Sequence, residues 1–245
     1  MESIRFRRGL ALSLSKGFSL IELLVVLAII GIIYGALVAL AQTDFKFVIG
    51  YSSVSHMGFV LLGLMTLNQI GMTGAVLQMF SHGVIAGLLF AIVGRIVYER
   101  THTRQFADLE KMHLSRRLPF AAWAFVIAGV ASMGLPGFSG FVAELQVLVG
   151  SWRAAPGWTV AAGIGIVIGV AYTWRALQKA FFNDKLPTAE DHPKTGWHDM
   201  AAITWPEATG VTLLVAATLA VGVYPRLLLD QIEPAVKTFL AGGVQ

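Results

Sequence analysis

Hydrophobic residues occur along this chain in six long runs, separated by short joints that are rich in polar residues, glycine and proline. A helix needs about 20 residues to cross about 30 Å of hydrocarbon, and each run is long enough. Backbone polar groups inside a bilayer must be satisfied within the protein, which favours helices. The pattern therefore predicts an all-α, polytopic transmembrane helix bundle of about six spans. The predicted spans cover residues 18–41, 47–67, 72–97, 118–150, 158–182 and 206–224.

The fourth run is too long for one ordinary span and is interrupted near its middle. Leu-Pro-Gly-Phe-Ser-Gly occupies residues 135–140, and Glu144 follows four residues later. Non-helical backbone at membrane depth must be buried in protein or line a wet cavity. An ionisable side chain beside such a break is typical of ion pathways. We therefore expect one discontinuous helix, with Glu144 in its second half, in a protein that moves ions.

The composition is that of a membrane protein, because 56% of the residues are hydrophobic, only 13% are charged and the mean hydropathy is +0.71. In a soluble domain about a quarter of the residues are charged. The lack of cysteine in the sequence excludes thiolate-bound iron–sulfur clusters, cysteine-bound zinc and disulfides. Asp191-His192 and His198-Asp199 lie in a polar loop where no helical spacing aligns them. We expect no cofactor and no metal in this chain.

The positive charges fit a membrane topology better than they fit nucleic-acid binding. If all six spans insert, the loops at 42–46, 95–117 and 175–205 share one side and hold eleven of the eighteen Lys and Arg residues. Basic loops prefer the cytoplasm, so both termini are predicted to lie outside. The basic N-terminal tail conflicts with this topology, because positive charges ahead of an apolar run favour the cytoplasm. Those charges are Arg5, Arg7, Arg8 and Lys16.

Two histidines lie well inside apolar spans. His56 occurs in Tyr-Ser-Ser-Val-Ser-His-Met-Gly and His82 occurs in Gln-Met-Phe-Ser-His-Gly. An imidazole can accept a proton on one nitrogen and release one from the other, which suits a proton relay. The alternative is that each histidine only hydrogen-bonds a neighbouring helix. Nearby hydroxyl groups could join waters in a proton wire, and they belong to Ser52, Ser53, Ser55 and Ser81.

Glu144 is the third ionisable candidate inside the membrane. The N-terminal dipole of a half-helix would favour its ionised form, whereas loss of water would oppose ionisation. Two such opposed effects allow a neighbouring charge to switch the proton occupancy of a carboxyl group. The alternative is a structural glutamate paired with Arg153 or with a partner chain.

Five runs of residues match one known family in the same order, at 34–46, 50–60, 81–83, 98–104 and 135–144. They include Gly-Tyr-Ser-Ser-Val-Ser-His-Met-Gly-Phe-Val and Leu-Pro-Gly-Phe-Ser-Gly-Phe-Val-Ala-Glu. The chain thereby resembles the C-terminal half of the chain M (subunit 4) family of respiratory NADH:quinone oxidoreductase, complex I. The resemblance implies that His56 and His82 are relay histidines and that Glu144 lies at the exit end of the proton path. Lys46, in the run Thr-Asp-Phe-Lys, is a further candidate.

The resemblance implies a proton-translocating membrane subunit that couples quinone reduction to proton pumping. Its partners would be other membrane subunits of complex I and the lipid bilayer of the bacterial inner membrane. NADH and quinone would be bound by partner subunits. The alternative is a subunit of an Mrp-type cation/proton antiporter or of a membrane-bound hydrogenase. The acidic and basic residues of the family's first half have no counterpart here, so we do not expect this fragment to pump independently.

Residues 16–31 resemble a different family. Lys-Gly-Phe-Ser-Leu-Ile-Glu and the apolar run after it are similar to a type IV prepilin, with cleavage after Gly17 and Glu22 at the fifth mature position. We interpret residues 1–33 as a prepilin-like leader and apolar helix of chimeric origin, and residues 34–245 as the antiporter-like half. A pilin-like structural protein is the alternative from another functional class. We expect the first helix to pack poorly against the others or to be dispensable.

Overall fold

The computed structural model describes residues 19–182 and 200–242, and these residues are mostly helical. The long helices are α1 (Leu20–Ala41), α2 (Phe45–Met65) and α3 (Gln69–Thr101), in which Ala91–Val97 is wound as a π-helix. Two short helices follow, α4 (Phe106–Leu109) and α5 (Leu114–Arg117). The remaining helices are α6 (Pro119–Ser132), α7 (Ser139–Ala154), α8 (Pro156–Phe181), α9 (Trp205–Val223) and α10 (Arg226–Gly242).

Five helices in the described part of the chain are long and apolar enough to cross a membrane, namely α1, α2, α3, α8 and α9. Helices α6 and α7 occupy the predicted fourth span, and each is too short to cross alone. The prediction of an all-α, polytopic bundle with one discontinuous helix is confirmed. The chain is thus a multi-pass membrane protein.

The break between α6 and α7 begins two residues earlier than predicted. The helix ends at Ser132 and resumes at Ser139. Gly134 and Gly137 have φ angles of +70° and +100°, which is backbone that glycine adopts without a steric penalty. At Gly134 an added Cβ would also lie 2.8 Å from the Glu144 carboxylate. The break therefore folds back over the side chain that the sequence singles out.

Helix α1 begins with a capping box. The backbone N–H of Glu22 donates to Ser19 Oγ at 3.2 Å, and the backbone N–H of Ser19 donates to Glu22 Oε2 at 2.8 Å. Such reciprocal bonds satisfy donors that a helix start otherwise leaves open. The basic residues of the N-terminal tail lie outside the described residues.

The second half of α1 is packed tightly against α2. Buried residues recur between 28 and 39, and at Gly35 an added Cβ would lie 2.9 Å from the backbone nitrogen of Ser55. Glycine here allows the two backbones to approach closely, as at many membrane helix contacts. The expectation of poor packing is wrong for this half of the helix. The chimeric origin of residues 1–33 remains a prediction.

Helices α3 and α7 form an antiparallel pair with a similarly close contact. An added Cβ on Gly150 would lie 2.4 Å from both the Cα and the nitrogen of Gly71. Asn68, which caps α3, donates from Nδ2 to the Gly150 carbonyl at 2.8 Å. This pair fixes the distance between the two helices that carry Gln78 and Glu144.

The largest hydrophobic cluster lies near one end of the bundle, where aromatic rings from three helices meet. Phe45 lies 4.9 Å from Phe125, and Phe125 lies 5.2 Å from Phe181, between ring centroids. At the same end, Arg100 donates to the carbonyls of Ala201 and Ala202 and to Glu207 Oε2 at 2.7 to 2.9 Å. These bonds hold the start of α9 against the end of α3.

Helix α10 was not predicted from the sequence. It contains Arg226, Asp230, Glu233 and Lys237 in 17 residues, so it does not read as an apolar span. Its apolar residues Leu228, Leu229 and Ile232 pack on a cluster of Leu77, Ala143 and Val221. The spacing of these apolar positions is that of an amphipathic helix, which was the available signal.

Candidate functional site

Helices α2 and α7 bring His56 and Glu144 into direct contact. His56 Nδ1 lies 3.1 Å from Glu144 Oε1, and the two residues are 9% and 6% exposed. His82 on α3 lies beside them, with its ring centroid 5.1 Å from that of His56. The three ionisable residues predicted from the sequence therefore form one group. The group lies within the bundle, where charged forms need a partner.

The position of Glu144 in its helix changes the expected role of the helix dipole. Glu144 is the sixth residue of α7, so it lies about 8 Å along the helix from Ser139. The dipole effect falls off within the first turn. The side-chain donors around the carboxylate are therefore its main stabilising partners.

Gln78, which was not predicted from the sequence, contacts both members of the pair. Its Nε2 donates to Glu144 Oε1 at 3.3 Å and lies 3.4 Å from His56 Nδ1. Gln78 is 2% exposed and lies one turn before His82 on α3. An amide side chain in an apolar span was the available signal, and it is a weak one because such residues often only join helices.

Ser132 was also missed. Its Oγ lies 3.3 Å from His56 Nε2, so the last residue of α6 contacts one ring nitrogen while α7 supplies the carboxylate for the other. A cavity of about 10 Å³ borders His56, Ser132 and Glu144 and is also lined by Tyr172. That volume is near the lower limit for one water molecule. His56 thus bridges both halves of the discontinuous helix.

Three of the serines predicted to join a proton wire instead donate to backbone carbonyls. Ser52 and Ser53 donate to the Ile49 carbonyl at 2.8 and 3.0 Å, and Ser55 donates to the Ile32 carbonyl on α1 at 2.8 Å. The bonds of Ser52 and Ser53 lie within α2, whereas the bond of Ser55 joins α2 to α1. These serines therefore act first as structural residues.

The fourth serine belongs to a buried row of hydroxyl groups. Ser81 Oγ lies 2.7 Å from Ser139 Oγ, which lies 2.9 Å from Thr218 Oγ1. All three residues are fully buried. The row ties the first residue of α7 to α3 and α9. It therefore fixes the start of the half-helix that carries Glu144.

We expect Ser139→Ala to destabilise the bundle by about 1 to 3 kcal/mol, because both neighbouring hydroxyls lose a buried partner. The measurement is chemical or thermal unfolding of the chain in lipid or detergent. The control is Ser53→Ala, which removes only a bond within one helix turn. Equal losses in the two variants would contradict the role given to the hydroxyl row.

Other candidates lie away from the group. Lys46 is exposed in the first turn of α2, about 15 Å along the helix from His56. Arg153 is exposed, and the Glu144 carboxylate contacts His56 and Gln78 instead, so the predicted alternative pair with Arg153 is wrong. The Asp-His pairs at 191–192 and 198–199 lie outside the described residues. Among residues 19–182 and 200–242, no group of three or more potential metal ligands is present.

The chain is similar to one protein family along most of its length. The sequence profile described as NADH:quinone oxidoreductase/Mrp antiporter, transmembrane, matches residues 5–169. NADH-quinone oxidoreductase subunit M of Rhodobacter capsulatus is 39% identical over 211 residues, which are 86% of this chain and 39% of that protein. NAD(P)H-quinone oxidoreductase chain 4 1 of Synechococcus elongatus is 40% identical over 229 residues, covering 91% and 41% of the two chains. This chain thus spans about two-fifths of the length of these relatives.

Solved structures show the same fold. A chain of respiratory complex I from Thermus thermophilus with bound NADH matches with a TM-score of 0.79 and 31% identity, over 90% of this chain and 44% of that chain. The Mrp complex from Dietzia sp. DQ12-45-1b matches with a TM-score of 0.75 and 21% identity, over 89% and 47%. At 21% identity, the match to the Mrp complex shows a shared fold only.

Proposed function

The chain belongs to the NADH:quinone oxidoreductase/Mrp antiporter transmembrane family, and on this premise we propose that it is a proton-translocating membrane subunit of an NADH:quinone oxidoreductase. The observation that carries the proposal is the buried contact between His56 and Glu144, with His82 next to it. The sequence identity to subunit M and chain 4 proteins supports a quinone oxidoreductase over an Mrp antiporter.

The proposed chemistry is proton transfer along the three side chains. A proton reaches His56 from the side of His82 and leaves from Nδ1 to Glu144 Oε1, which lies within hydrogen-bond distance. The transfer turns an imidazolium and a carboxylate into a neutral imidazole and a carboxylic acid. Inside the bundle the balance between these two states responds strongly to nearby charge, because the surroundings screen charge weakly. A charge change in a neighbouring subunit could therefore drive the transfer.

The partners follow from this role. We propose that other membrane subunits of the same complex complete the proton path and that NADH and quinone bind to partner subunits. Electron transfer would occur in those partners, since the sequence has no cysteine for iron–sulfur clusters. The proposed location is the bacterial cell membrane. The prepilin-type cleavage site precedes the described residues, so the pilin-like alternative remains a prediction.

The proposal is tested in a chimera of Rhodobacter capsulatus subunit M whose C-terminal part is replaced by residues 34–242 of this chain. We expect the chimera to support proton pumping, and His56→Asn or His82→Asn to lower the protons moved per electron without abolishing pumping. Asparagine cannot carry the proton, but water can replace part of a relay.

The matched control is His102→Asn. His102 is exposed in a loop with φ of 54°, a conformation that asparagine tolerates. The His102→Asn chimera should move as many protons per electron as the unmodified chimera. Unchanged pumping in both the His56 and His82 variants would favour a packing role for the two histidines and reject the relay.

A further inference from the structure

Gln78 places one amide nitrogen between two groups that exchange a proton in the proposed function. Its Nε2 lies 3.3 Å from Glu144 Oε1 and 3.4 Å from His56 Nδ1, while those two atoms lie 3.1 Å apart. The three atoms thus form a compact triangle. The amide nitrogen carries two hydrogens and can donate toward either acceptor.

The two acceptors are available in different proton states. While the proton is on His56, Nδ1 is a donor and only the Glu144 carboxylate can accept from Gln78. After the proton has moved to Glu144, Nδ1 is an unprotonated acceptor and the carboxyl group is neutral. The same amide hydrogen atoms can then satisfy Nδ1. Little movement is needed, because both distances are already within 3.5 Å.

The oxygen of the Gln78 amide, Oε1, is buried and has no hydrogen-bond donor as a partner among the described residues. An unsatisfied buried acceptor costs free energy. Donation from Nε2 to a charged carboxylate offsets this cost.

We propose that Gln78 is a positioning residue that follows the proton between His56 and Glu144, an inference that rests on the proposed function. When the His56 Nδ1–H bond breaks and the Glu144 O–H bond forms, the amide donor moves from the carboxylate to Nδ1. Nδ1 is then occupied, so the new O–H of Glu144 is not held by back-donation and is free to pass its proton on. His56 keeps its Nε2–H, which faces Ser132 Oγ at 3.3 Å.

The test measures the tautomer of neutral His56 by solid-state nitrogen NMR on the full chain in lipid bilayers with isotope-labelled histidine. The His56 signals are assigned by their loss in His56→Asn. Gln78 supports the Nε2–H tautomer by donating to Nδ1. In Gln78→Met, which has similar length but no donor, the ratio of Nε2–H to Nδ1–H tautomer should fall about fivefold, as expected for one lost hydrogen bond.

The matched control is Gln146→Met. Gln146 lies two residues after Glu144 and also has a buried Oε1 without a partner among the described residues, but its amide is not among the hydrogen bonds of the pair. The ratio of His56 tautomers in Gln146→Met should equal the ratio in the unmodified chain. An unchanged ratio in Gln78→Met, or equal changes in both variants, would overturn the proposal.

A second measurement needs no substitution in α3. In the unmodified chain with labelled glutamine, the Gln78 side-chain nitrogen signal should shift with that of His56 as pH is varied, and the Gln146 signal should not. Independent behaviour of Gln78 and His56 would reject the inference even if Gln78→Met failed to fold. Failure of the proposed function is recognised separately, because it appears as unchanged pumping in the His56 and His82 variants of the chimera.

Discussion

Replacing Glu144 with glutamine should reduce proton translocation at least about 100-fold in the chimeric subunit, because a positioned proton-transfer group is removed. Glutamine keeps the shape of the side chain and can still hydrogen-bond His56 and Gln78. It cannot take up a proton in the physiological range. The measurement is proton flux into vesicles per electron transferred, together with the amount of assembled complex, which should stay the same.

Glu233→Gln provides the control for this prediction. Glu233 is exposed on α10, so the same chemical change occurs away from the buried group. The variant should pump normally. A normal ratio of protons to electrons in Glu144→Gln would exclude Glu144 from the path, whereas loss of assembly in that variant would show a mainly structural role.

Replacing Gly150 with alanine should destabilise the bundle by about 3 kcal/mol or more. The added methyl group would lie 2.4 Å from the Gly71 backbone, and no side-chain rotation can relieve a contact with backbone atoms. Helices α3 and α7 would have to separate, which would also displace Gln78 from Glu144. The measurement is the unfolding midpoint of the chain in lipid or detergent.

Gly163→Ala is the control, since it changes a glycine inside α8 with no neighbouring atom within 4 Å of the added methyl. Its stability should change by less than about 1 kcal/mol and can increase, because alanine favours the helix. Similar midpoints for the Gly150 and Gly163 variants would contradict the close backbone contact between α3 and α7.

The length and composition of the apolar runs determined the membrane spans, because crossing a bilayer requires a minimum number of consecutive apolar residues. The discontinuous helix was also predictable, since a proline in the middle of a long apolar run removes a backbone donor and disfavours a continuous α-helix. His56, His82 and Glu144 were recognisable as candidates because ionisable residues are costly in apolar segments. Helix α10 was not found by searching for long apolar runs, because charged residues are interspersed with its apolar residues along the sequence.

The partners of these candidates were decided by the tertiary structure. His56 and Glu144 are 88 residues apart in sequence, and their contact depends on how α2 and α7 are rotated about their axes. The same rotations bring Gln78 and Ser132 to His56 and leave Arg153 exposed. The sequence of one helix specifies which side chains share a face of that helix. Packing across the bundle decides which face of a neighbouring helix those side chains contact.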